Sequence, residues 1–103
     1  MIYRFSWHFP ADHPALAGHF PGQPIAPGAV LLDRLQLFAG RVPALGDGPW
    51  RIERAKFVQT ARPGDTLAFV LETTQAGTFA FRIERDASLI AHGLFAVTPA
   101  LST

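Results

Sequence analysis

Pro27-Gly28-Ala29-Val30-Leu31-Leu32-Asp33-Arg34-Leu35-Gln36-Leu37-Phe38-Ala39-Gly40 is the stretch that decides the fold. From Ala29 to Ala39 it has no proline, no internal glycine and good helix formers. Pro27 suits a helix start and Gly40 a C-terminal stop. Apolar residues lie on nearly every side, so the helix is expected to be mostly buried. Its one acidic residue, Asp33, then needs a reason to be there.

Nothing else in the chain reads as a helix. Residues 9–28 contain Pro10, Pro14, Pro21, Pro24 and Pro27, with Gly18, Gly22 and Gly28, a density that no regular helix survives. A loop of roughly 20 residues is unusual in a compact domain, and long ordered loops are usually functional. Before it, residues 2–8 alternate and put Tyr3, Phe5 and Trp7 on one face of a strand. After the helix, a turn-rich linker over Pro43 to Pro49 leads into strands only. Trp50 to Val58 is the first, with a phase change near Ala55 that suggests a bulge. Arg62-Pro63-Gly64-Asp65 turns into Thr66 to Thr74, and Gln75-Ala76-Gly77 into Thr78 to Arg85, where Phe79, Phe81 and Ile83 alternate with polar or small residues. Asp86-Ala87 turns into Ser88 to Val97, and a polar tail follows. Short turns between consecutive strands favour antiparallel pairing. One helix against one antiparallel sheet is an α+β architecture, and a sheet curled around a single apolar helix is a hot-dog fold.

The 103 residues suffice for one domain, 1–103. Hydrophobic residues make up 49% and aromatic ones 12%, more apolar side chain than so small a core needs. The excess points to oligomerisation or to an apolar ligand channel. A net charge of +1 gives no strong pull toward nucleic acid or membrane. With no cysteine, disulfides, thiolate catalysis and cysteine metal sites are excluded. His8, His13 and His92 lack metal-ligand spacing, and Gly46-Asp47-Gly48 lacks the third glycine of a dinucleotide fingerprint, so neither metal nor cofactor is expected. The opening residues do not form a signal peptide, and no run approaches the roughly 20 apolar residues of a membrane span. The expected location is cytoplasmic.

The chemistry concentrates in Gly18-His19-Phe20-Pro21-Gly22-Gln23-Pro24-Ile25-Ala26-Pro27-Gly28 and Asp33. His19 lies on a rigid loop that feeds a helix N-terminus, and a histidine can move a proton near neutral pH. Gly28 puts a bare N–H at that terminus, where unpaired donors suit a carbonyl oxygen becoming an enolate. Asp33 lies about 7.5 Å further along the helix at 1.5 Å per residue, where a carboxyl among leucines can hold or donate a proton.

Gly18-His19-Phe20-Pro21-Gly22, Pro24-Ile25, Pro27-Gly28 and Leu32-Asp33 resemble the active-site signature of the β-hydroxyacyl-acyl-carrier-protein dehydratases. The separation of His19 and Asp33, 33 − 19 = 14 positions, is similar too. Lys56-Phe57 and Pro63-Gly64-Asp65 resemble that family's next strand and turn. The resemblance implies that His19 takes the proton beside the thioester carbonyl. Gly28 N–H would hold the carbonyl oxygen, and the carbonyl of Ile25 would orient the histidine. Asp33 would help the β-hydroxyl leave as water. It also implies an acyl carrier protein with a phosphopantetheine-linked acyl chain as partner, and a homodimer whose sites take histidine and carboxylate from different subunits. Short chains resembling this one occur in aryl polyene and other specialised acyl pathways, beside fatty-acid synthesis. One departure stands out: the family's usual glutamine four positions after the carboxylate is Leu37 here, with Gln36 one place early. Two other readings remain on the same fold, an acyl thioesterase and a non-catalytic acyl-binding or partner subunit.

Overall fold

The computed structural model describes residues 1–10, 28–45, 50–74 and 77–97. Five strands, β1 (Ile2–His8), β2 (Trp50–Phe57), β3 (Thr66–Thr73), β4 (Thr78–Arg85) and β5 (Ser88–Val97), form one sheet in the order β1-β3-β4-β5-β2. All four pairings are antiparallel. Among the described residues, one helix, α1 (Gly28–Ala39), lies against the sheet, and a 3₁₀ turn, Pro43–Leu45, follows it. This is the α+β hot-dog arrangement expected from the sequence.

Period-two alternation sets the register. Leu67, Phe69 and Leu71 of β3 and Phe79, Phe81 and Ile83 of β4 are buried, and Phe69 faces Ile83 as Leu71 faces Phe81. One-residue slips would turn these rows outward. The core is largely aromatic: Phe5 stacks on Phe38 at 4.7 Å, Phe38 meets Phe69 edge-on at 5.2 Å, and Phe95 packs on Phe79 and Phe81 at 5.2 and 5.3 Å. The β4–β5 hairpin turns through Asp86 and Ala87, both at positive φ (50° and 68°), as a tight two-residue turn between twisted strands requires.

One expectation is corrected. α1 is not buried on nearly every side. Leu31, Leu35, Phe38 and Ala39 face the core, whereas Ala29, Asp33 and Leu37 form an exposed crest along the opposite side. Apolar composition alone does not say which chain covers a residue, and nothing described in this chain covers the crest. The bulge expected near Ala55 is present, at Glu53 two residues before it. Register jumps between Ile52 and Arg54, leaving Glu53 as the extra residue. The bulge keeps Ile52, Ala55 and Phe57 on the helix side, opposite Phe95, Gly93 and Ala91 of β5.

The Arg62–Asp65 turn ties β1 to this framework. Gly64 N–H donates to the Phe9 carbonyl at 2.8 Å, and Phe9 N–H to the Asp65 carbonyl at 2.9 Å. The Asp65 carboxylate accepts from Arg62 N–H and from Arg85 Nη1, each at 2.8 Å. Burial acts to raise its pKa, but these bonds, with the charges of Arg85 and Arg62, outweigh burial and hold the carboxyl below its ordinary value.

Two outcomes follow. A Cβ on Gly93 would collide with the Arg54 carbonyl and lie 2.7 Å from the Phe81 ring. Gly93→Ala should therefore lower stability by about 3 kcal/mol, seen as a reduced urea midpoint; an unchanged midpoint would refute this packing. Because the folded pKa of Asp65 is depressed, its stabilisation is present above the unfolded value, about 3.9, and is lost as pH falls through the lower folded value. Wild type should exceed Asp65→Asn by about 1 kcal/mol at pH 7. That gap should close in acid; a gap that widens on acidification would reverse the assignment.

Candidate active site

α1 begins at Gly28, so the first-turn N–H groups lie where the long proline-rich segment enters the helix, and no acidic side chain occupies that turn. Gly28 is half-buried beneath the end of β2: a Cβ built on it would lie 2.9 Å from Phe57 Cζ. The absence of a side chain thus lets the aromatic ring close over the helix N-terminus. At the other end of α1, the Trp50 ring reaches Gly40, where a Cβ would lie 3.9 Å from it. Trp50 is itself fixed by donating Nε1–H to the Leu45 carbonyl at 3.1 Å. β2 therefore flanks α1 along its length and touches it at both ends.

Between those ends the helix side of β2 is open. Ile52 and Phe57 are each 41% exposed, and Ala55 is exposed between them. At 3.6 residues per turn, Leu32 and Gln36 share the Gly28–Gly40 line that borders β2, and the Ala29–Asp33–Leu37 crest lies just beyond it. Leu37 is 59% exposed. An apolar strand face and a helix crest thus form one continuous seam, uncovered among the described residues, with Asp33 at its middle.

On the crest's other side is β1. The Arg34 guanidinium lies over the Trp7 ring at 4.6 Å, a cation–π contact. Trp7, Val30, Asp33, Arg34 and Leu37 line a recess of about 90 Å³. Among the described residues, the Asp33 carboxylate has no hydrogen-bond or ion-pair partner. It stands in the open, not among leucines as the sequence reading had it.

Of the residues singled out in the sequence, Gly28 and Asp33 are placed on one helix, at its start and on its exposed crest. His19 and Ile25 lie outside the described residues. Phe57 and the open face of β2 are the features that sequence reasoning missed as parts of the site. The available signal was the phase change in β2, which keeps Phe57 on the side of the helix.

The fold defines a hot-dog protein, and the family comparison assigns it to the dehydratases. Residues 2–94 match the family model described as ApeI-like, ApeI dehydratase, and the chain belongs to that family. It is similar in structure to the dehydratase heterocomplex ApeI:P from Xenorhabdus doucetiae, with a TM-score of 0.79 at 24% identity over 95% of this chain and 88% of that one. That likeness speaks to the fold. It is 33% identical over 100 residues to the 3-hydroxyacyl-acyl-carrier-protein dehydratase FabZ of Thermomicrobium roseum, covering 84% of this chain and 66% of the relative. It is 37% identical over 76 residues to that of Rhizobium rhizogenes, covering 66% and 48%. The chain thus spans about half to two thirds of the length of these curated relatives. Among the described residues, no helix is long and apolar enough to cross a membrane.

Proposed function

We propose that this chain removes water from a β-hydroxyacyl thioester carried on the phosphopantetheine arm of an acyl carrier protein, giving the trans-2-enoyl thioester. His19 takes the proton from the carbon beside the thioester carbonyl, with its ring oriented by the Ile25 carbonyl. Gly28 N–H donates to the carbonyl oxygen as negative charge gathers there, and the helix terminus supports that charge. The bond from the β-carbon to its hydroxyl breaks, and Asp33 helps the hydroxyl leave as water, directly or through a bound water. The electron pair released at the α-carbon becomes the new double bond. The reading needs no metal or cofactor, and it puts enzyme and carrier together in the cytoplasm.

The observation that carries this reading is the position of Asp33. It lies one and a half turns from the helix N-terminus, on a crest that faces away from the chain's own core. Among the described residues, nothing walls it on that side. The open apolar face of β2 adjoins it. Both features support a homodimer in which a second subunit supplies the missing wall, and His19 and Asp33 of each site come from different subunits. Domain extent fits this reading: residues 1–103 act as one hot-dog unit.

A partner-dependent form of the same reading is favoured by one feature. Leu37, one turn beyond Asp33, is largely exposed where the family resemblance leads one to expect glutamine. The similar solved structure is a heterocomplex. In that form, the covering chain is a second dehydratase-fold subunit that brings its own polar group to Asp33.

Hydration of a short trans-2-enoyl thioester, the reverse reaction, tests the proposal. Wild type should hydrate it with the thioester intact. His19→Ala and Asp33→Asn should each lose about 10²- to 10⁴-fold, the range for removing a general acid or base. Release of free thiol instead would indicate a thioesterase. Full activity in both variants would remove these residues from the chemistry.

A further inference from the structure

The end of the sheet that carries the helix N-terminus also holds a polar cleft of about 500 Å³, lined by Gln59, Thr60, Arg62, Asp65 and Arg85. Its position is fixed by short links to the site. Gln59 follows Phe57, whose ring covers Gly28, by two residues. Val58 N–H donates to the Ile90 carbonyl at 2.8 Å, which holds the exit of β2 against β5. The Arg62–Asp65 turn on the cleft's far wall is bonded to Phe9, where the proline-rich segment leaves β1.

Its volume suits a small ligand group, but no apolar side chain lines it, so an acyl chain has nothing to bind there. The charges are unequal. Arg85 is committed, donating Nη1–H to Asp65 at 2.8 Å and to the Thr60 carbonyl at 3.2 Å, and Nη2–H to Gln59 Oε1 at 3.4 Å. Asp65 is matched by Arg85 and by the Arg62 N–H. The Arg62 guanidinium is left exposed, with no ion-pair partner among the described residues. The cleft thus sets two guanidinium groups against one carboxylate, an excess of one positive charge, beside a threonine hydroxyl and a glutamine amide. A guanidinium fork matches the oxygens of a phosphate.

We propose that this cleft seats the phosphate of the substrate's pantetheine arm, with Arg62 as its principal ligand and Thr60 and Gln59 beside it. The arm then runs from the cleft past Phe57 toward the N-terminus of α1. The assignment rests on the thioester reading, since it names where that substrate's charged end lies. A carrier-borne arm and coenzyme A present the same chemistry and are separated by the test.

Calorimetric titration reads binding without turnover. The probes are pantetheine, 4′-phosphopantetheine, coenzyme A, a holo acyl carrier protein and inorganic phosphate. Wild type should bind 4′-phosphopantetheine about tenfold or more tightly than pantetheine, as expected for a hydrogen-bonded charge pair. Arg62→Ala and Arg62→Glu should abolish that preference, and Arg62→Lys should restore part of it. The Arg62 backbone N–H that holds Asp65 survives in each variant, so the turn is retained. An Arg62-dependent gain for the carrier beyond that for coenzyme A identifies the carrier-borne arm, and the converse identifies coenzyme A. Inorganic phosphate that binds as well as 4′-phosphopantetheine, or a preference that persists in Arg62→Ala, overturns the seat. If the preference depends on Arg62 but no enoyl thioester is hydrated, the dehydratase reading fails and the seat stands. If phosphorylated and unphosphorylated thioesters are hydrated with the same KM, the seat fails and the dehydratase stands.

Discussion

Glu53, the extra residue in β2, sets the condition on which the rest depends. Without it, the strand would turn Ala55 and Phe57 outward and Arg54 and Lys56 toward the helix. With it, Ile52, Ala55 and Phe57 all lie on the helix side. Phe57 can then close over Gly28, while Trp50 reaches Gly40. Gly93 completes the arrangement, because only a residue without a side chain fits between the Arg54 carbonyl and the Phe81 ring. The result is an edge strand with an apolar inner face that its own helix does not cover. Long apolar edges left open are prone to pair with other chains. Here the open face borders the helix crest that carries Asp33, so under the proposed function a chain that covers it would also complete the site.

Much of the fold was legible in the sequence because its strands are regular. β1, β4 and β5 run as alternation places them, with Phe79, Phe81 and Ile83 inward and a tight turn at Asp86-Ala87. The extent of α1 was legible from the punctuation by Pro27 and Gly40. Its burial was not. Leu37 and Ala29 look like core residues by composition, yet they lie on the crest, because hydrophobicity records that a residue prefers to be covered and not by which chain. Asp33 is exposed on the same crest, where its leucine neighbours in the sequence predict burial. The bulge was visible as a change of phase, but its position at Glu53 depends on pairing with β5, which no local pattern encodes.

Of the candidate site, the placement of two residues was legible. The Pro-Gly entry into the helix marked Gly28 as a donor, and the carboxylate further along the helix marked Asp33. Both are on α1, as read. The sequence shows Phe57 only as part of a strand and Arg62 only as part of a turn, and neither residue by itself points to a ligand. They gain meaning from what folding sets beside them: a helix N-terminus in one case, and an aspartate already claimed by Arg85 in the other.

The central claim is that a second chain completes the site around Asp33. Subunit mixing tests it most directly. His19→Ala and Asp33→Ala chains, each inactive alone, are combined under conditions where exchange is verified by mass. A site shared between two copies predicts recovery of about a quarter of wild-type activity, since half the dimers are mixed and each carries one intact site of its two. No recovery after verified exchange would contradict the account and return the whole site to a single chain.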